Sequence, residues 1–230
     1  MKGHYETADV NGKAMRMFVD GERDRPGVVV MVHEPGLDGF IEAQVTALAE
    51  AGYFVAAPDV FHRQTDPTLD TKTRIDRLRD QEITEDGRAA VAHLRERTQA
   101  PIAVIGFCMG GRNAYHLAGA CPELWSGAVV FYGGDIMTGW GAEATPLDRT
   151  LAITCPVLGI FGNDDTNPSQ ADVARIDAEL TRLGKPHTFH SYAGAGHSFL
   201  NFTNPELHRP EQAADAWQKM LEFLRHPFSA

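Results

Sequence analysis

An unbroken apolar run, Ile102-Ala103-Val104-Ile105, leads directly into Gly106-Phe107-Cys108-Met109-Gly110-Gly111, and few folds accept such a junction. A buried strand ends there, the chain turns sharply, and a helix starts at once; small residues on either side of the central one let neighbouring backbone come close. Cys108 stands at the top of that turn, at a helix N-terminus where the dipole favours an anion. The glycines do not spell a phosphate loop, which needs Gly-Lys-Ser/Thr, nor a dinucleotide loop, which needs Gly-x-Gly-x-x-Gly. A cysteine behind a buried strand is often only a small apolar residue, so the rest of the chain must decide.

The surrounding pattern alternates. Asn11-Gly12 is a hairpin turn signal between short alternating segments such as Ala14 to Val19, which predicts edge strands in the first 27 residues. Val28 to Val32 is a continuous β-branched run suited to a strand buried on both faces of a parallel sheet. Similar runs recur at Tyr53 to Ala57, Ile102 to Ile105, Ala128 to Tyr132, Val157 to Phe161 and His187 to Tyr192. Helical patterns lie between most of them, at Glu42 to Ala51, Glu85 to Thr98, Gly111 to Gly119 and Gln170 to Leu183, with a last one at Glu211 to Arg225. The alternation implies a doubly wound, mostly parallel sheet flanked by helices. Residues 62–84 are polar, carry Arg63, Arg74, Arg77 and Arg79, and show no long period, so they read as an excursion over the sheet edge. The stretch from Gly133 to Thr154 is short and turn-rich, leaving little room for a lid.

With 230 residues and 43% apolar content the chain is of a size to form one domain over 1–230. A formal net charge of −10 argues against nucleic acid and anionic membrane as partners, because both are bound by clustered Lys and Arg. A small molecule is the expected partner, and the protein is expected to act as a monomer or homodimer. Cys108, Cys121 and Cys155 form an odd set without disulfide spacing, and no apolar signal segment precedes residue 28, which predicts a cytoplasmic protein. No apolar run reaches the eighteen or so residues of a membrane helix.

A nucleophile at Cys108 needs a base, and the base needs an acid to orient it, both from strand ends on the same sheet edge. Gly162-Asn163-Asp164-Asp165 follows one predicted strand and Gly194-Ala195-Gly196-His197-Ser198-Phe199 follows the next. Each is weak alone, since Asn-Asp-Asp is commonly a solvated turn; the order nucleophile, acid, histidine is that of α/β-hydrolases. Glu34, directly after the strand Val28 to Val32, would lie on the same edge. His187 and His190 stand three apart on a strand, point to opposite faces and do not converge on a metal; no cofactor is expected.

With His33-Glu34, Ala57-Pro58-Asp59-Val60-Phe61, Gly106 to Gly111, Gly162-Asn163-Asp164 and Gly194 to Phe199, the chain resembles the dienelactone hydrolase family, a cysteine-using branch of the α/β-hydrolases, over nearly its whole length. The resemblance implies an α/β-hydrolase fold with minimal or no lid. It makes Cys108 the nucleophile, His197 the base, and Asp164 the orienting acid, preferred over Asp165 because it sits two residues after Gly162 and four before Pro168. It matches Glu34 to the carboxylate that contacts the resting cysteine, and gives Met109 one backbone N–H of the oxyanion hole.

There are departures from the family. The loop after Glu34 is one residue shorter and Pro35 has no N–H, so Gly36 is the expected second oxyanion donor. Where the family has an arginine four residues after the histidine, this chain has Asn201; Arg63, Arg74, Arg77 and Arg79 are the alternatives for holding a substrate carboxylate, and Arg77 is the one carried forward. Tyr132, Ser198 and Phe199, with Met109 and Trp140, are expected pocket walls. The reading is a hydrolase that opens a small lactone or cleaves a small ester through a thioester at Cys108. Its rivals are an esterase or thioesterase on another acyl compound, and a non-catalytic protein whose exposed thiol binds or senses oxidants.

Overall fold

The structure is a computed structural model that describes residues 3–141 and 144–225. Eight strands form one sheet: β1 (His4–Val10), β2 (Lys13–Asp20), β3 (Gly27–Met31), β4 (Phe54–Pro58), β5 (Ile102–Phe107), β6 (Ala128–Phe131), β7 (Val157–Gly162) and β8 (His187–Tyr192). Their order across the sheet is β1-β2-β4-β3-β5-β6-β7-β8. β1 and β2 form an antiparallel hairpin, β2 pairs antiparallel with β4, and all remaining pairs are parallel. Asn11 and Gly12, at φ 54° and 78°, make the hairpin turn, which needs left-handed backbone at both central residues. The result is the mostly parallel sheet that the alternating pattern implies, in the α/β-hydrolase-like arrangement that the resemblance implies.

The continuous apolar runs are explained by position. Every residue of β3, β4, β5, β6 and β7 is buried, because helices cover both faces of the parallel region. The edge strands β1 and β8 keep exposed residues. The helices are α1 (Gly39–Glu50), α2 (Thr71–Asp76), α3 (Asp80–Arg95), α4 (Met109–Ala120), α5 (Gln170–Arg182) and α6 (Pro210–Arg225). Asp38 caps α1 by accepting from the Ile41 N–H at 3.1 Å, and Ser169 with Asp172 closes a reciprocal capping box on α5. α4, behind the elbow, is buried at every residue from Met109 to Gly119. No helix among the described residues is long and apolar enough to cross a membrane.

Two segments differ from the sequence reading. The polar excursion contains α2, and α3 begins at Asp80, five residues before the expected Glu85, and ends at Arg95 rather than Thr98. The first turn of α3 is fixed by partners remote in sequence: the Asp80 N–H donates to the Trp140 carbonyl at 3.0 Å, and its carboxylate takes Arg112 and the Trp140 N–H. The segment between β6 and β7 holds, among the described residues, only a 3₁₀ turn at Leu147–Ala152; Ala142 and Glu143 lie outside them.

Candidate active site

Cys108 connects β5 to α4 at φ 56°, ψ −122°, a conformation that costs a non-glycine residue about 1–3 kcal/mol and persists only where surroundings enforce it. They do so here: its N–H donates to the Phe131 carbonyl at 3.0 Å, and its carbonyl accepts from Gly111 and Arg112 at 2.8 and 3.2 Å. A Cβ on Gly106 would sit 1.8 Å from the Gly110 carbonyl oxygen, and one on Gly110 2.0 Å from that of Met31. Both glycines are therefore required for helix and strand to approach this closely. Met109, the first residue of α4, carries one of the N–H groups that a helix start leaves without an intrahelical partner.

Nε2 of His197 lies 2.9 Å from Sγ of Cys108, and its Nδ1 lies 2.8 Å from Oδ2 of Asp165. Burial opposes charge on the imidazole, but the hydrogen bonds and charges of Asp165 and Cys108 outweigh it and raise its pKa to about 10. The ring therefore holds its proton through the neutral range. Asp165 is buried, and its other oxygen accepts from the Asn167 N–H at 2.9 Å. The Tyr132 and His197 rings meet in a T-shaped pair with centroids 5.3 Å apart.

A cavity of about 240 Å³ opens beside these groups, lined by Cys108, Met109, Asp165 and His197, by Glu34 and Asp135, and by Ile75, Arg112, Gly134, Trp140, Thr166 and Asn167. Arg112 is buried: its Nη1 and Nη2 donate to the two Asp80 oxygens at 2.5 and 3.0 Å, Nη2 also donates to the Thr138 carbonyl at 2.6 Å, and Trp140 stacks over the guanidinium at 3.7 Å. Asp80 is held below the usual carboxylate range; burial opposes this, and the contact with Arg112 prevails. This buried pair fixes the wall that carries Trp140.

The expected residues divide accordingly. Cys108, His197, Met109 and Glu34 come together. Asp164 does not: it is exposed, and its backbone N–H donates to the Ala195 carbonyl at 2.9 Å, so the partner of His197 is Asp165. The Gly36 N–H is already donated to the His33 carbonyl at 2.9 Å and is not free for an oxyanion. Glu34 is exposed on the cavity wall, while the hydrogen bond of the Cys108 sulfur goes to His197. Arg77 lines a separate cavity with Lys13 and Glu82. Tyr132 and Phe199 are buried behind His197, 5.6 Å apart, and Ser198 lies outside the cavity lining. Arg112 was absent from the sequence reading, though its place four residues after Cys108 puts it on the same helical face. Among the described residues no cluster of His, Cys, Asp and Glu suits a metal ion.

Residues 15–228 match the model of the dienelactone hydrolase family. The chain belongs to that family. A carboxymethylenebutenolidase of Rhodococcus opacus is 32% identical over 202 residues, covering 86% of this chain and 79% of that one. The crystal structure of a candidate dienelactone hydrolase from Klebsiella pneumoniae superposes with a TM-score of 0.87 at 25% identity, covering 96% of each chain. The dienelactone hydrolase-like phosphotriesterase P91 from metagenomic libraries gives 0.83 at 20% identity over 98% of each, a likeness of fold alone. As a dienelactone hydrolase family member, the protein is a hydrolase acting on lactone or ester bonds.

Proposed function

We propose that the protein hydrolyses small lactones or esters through a thioester on Cys108, with His197 as acid and base and Asp165 as its orienting partner. The observation that carries the reading is the continuous chain from Sγ to imidazole to buried carboxylate, at 2.9 and 2.8 Å, at the mouth of a cavity of small-molecule size.

The sulfur attacks as the thiolate of a pair with protonated His197. The S–C bond forms as the carbonyl oxygen becomes an oxyanion, to which the Met109 N–H donates. Collapse breaks the C–O bond to the leaving oxygen, which takes the proton from Nε2. The ring, now neutral, removes a proton from water; the water oxygen attacks the thioester carbonyl and the C–S bond breaks. The products are an acid and an alcohol, or one hydroxy acid from a lactone, and Cys108 and His197 return to their starting charges. One oxyanion donor is typically worth on the order of 2.7–4 kcal/mol of barrier. The free thiols at positions 108, 121 and 155 support a reducing, cytoplasmic setting.

Hydrolysis of a panel of simple lactones, a dienelactone and short chromogenic esters tests this. Wild type turns over and forms an acyl adduct at Cys108 visible by intact mass, while Cys108→Ala and His197→Ala lose activity. A thiol that oxidises without turning over any ester, or activity that survives Cys108→Ala, overturns the reading.

A further inference from the structure

The charges around the cavity point to a substrate class. Two exposed carboxylates, Glu34 and Asp135, line it, and among the described residues neither has a Lys or Arg within ion-pair distance. Besides His197, the cation in the lining is Arg112, whose Nη1 and Nη2 are committed to Asp80 and the Thr138 carbonyl and whose face is covered by Trp140. The Arg112 Nε has no hydrogen-bond partner but is buried away from solvent, so a substrate carboxylate would have to open this packing to reach it, or displace Asp80 and leave a buried charge without its partner. The other arginines of the excursion are placed elsewhere. Arg63 is held by Glu85 and Asp86 at 3.1 and 2.7 Å; Arg79 donates to the carbonyls of Asp76 and Leu78; Arg74 stacks on Phe61 at 3.9 Å, outside the lining. Both ring nitrogens of His197 are already engaged, Nε2 with Cys108 and Nδ1 with Asp165.

We infer that the cavity takes uncharged esters and lactones and discriminates against substrates that carry a carboxylate. An anionic substrate would meet Glu34 and Asp135 at close range in a partly enclosed site, where like charges are poorly screened. An uncharged substrate meets no such opposition. The inference rests on the hydrolytic reading above, and a matched pair of substrates separates the two. 4-Acetoxybenzoate and its methyl ester differ in charge at a position remote from the acetyl carbon, and phenol release reports cleavage of the same bond in both.

The expected result is a kcat/KM for the methyl ester at least about tenfold above that for the acid in wild type. That ratio falls as salt screens the charges, and falls again in Asp135→Asn and Glu34→Gln; because the readout is a ratio, a general loss of rate in either variant does not disturb it. Equal rates, preference for the acid, or a ratio insensitive to both substitutions overturns the inference. Preference for the acid that disappears in Arg74→Gln assigns the carboxylate to Arg74 instead. Absence of Cys108-dependent phenol release from either ester removes the hydrolytic reading itself, and this one with it.

Discussion

Asp164 and Asp165 are adjacent and chemically identical, yet only one reaches His197. What separates them is backbone bonding set by tertiary structure: the Asp164 N–H goes across to Ala195, while the Asp165 N–H closes back on the Gly162 carbonyl at 3.3 Å and its side chain turns inward. Asp165→Asn would lose the anion that fixes the ring tautomer, and kcat/KM should fall about 10²–10⁴-fold. Asp164→Asn should stay within a few fold, its contribution being a main-chain hydrogen bond that the substitution keeps. Kinetics of the two variants on one ester check this; equal losses would reject the assignment. The facing pair Cys108 and His197 was legible in the sequence because glycine-framed turns mark both residues. The choice between neighbouring aspartates was not, because spacing from Gly162 and Pro168 carries no information about which side chain faces inward. Gly36 failed as a donor for the same reason, its N–H being consumed by a turn to His33.

At the scale of elements, the buried strands were readable within one or two residues, since burial on both faces leaves an uninterrupted apolar run. The start of α3 was not. Asp80 begins that helix through the Trp140 backbone and the Arg112 side chain, partners 60 and 32 residues away, and no local period records them. The same contacts join α3, α4 and the segment after β6 into one wall of the cavity. Asp80→Asn would leave Arg112 charged and buried without its counter-ion, a loss on the order of 3–5 kcal/mol. Urea denaturation of the variant measures it; a change below about 1 kcal/mol would show that the pair contributes little to holding these elements together. Loosening of Trp140 should also raise KM more than it lowers kcat, because the reacting groups stand on other elements.

For the whole molecule, the topology places Cys108 and its partners unequally. β5 and α4, which carry the cysteine, lie at the centre of the sheet and are buried throughout. Asp165 and His197 sit on loops after β7 and β8, toward one edge, tied to each other by the Asp164 and Asn163 N–H bonds to Ala195 and Tyr192, and several residues around them, Asn163, Asp164, Thr166, Asn167, Ala193 and Gly194, are exposed. Protection against solvent hydrogen should therefore be split within one site: amides of β5 and α4 exchange only on global unfolding, and those of residues 163–167 and 193–198 exchange through local opening. Peptide-level deuterium uptake measures both, and uniform protection would contradict it. The backbone tether between the loops makes acid and histidine depart together. Under mild denaturant the protein should fall silent while its sheet remains intact, with the cysteine still poised on its turn and nothing beside it to hold its proton.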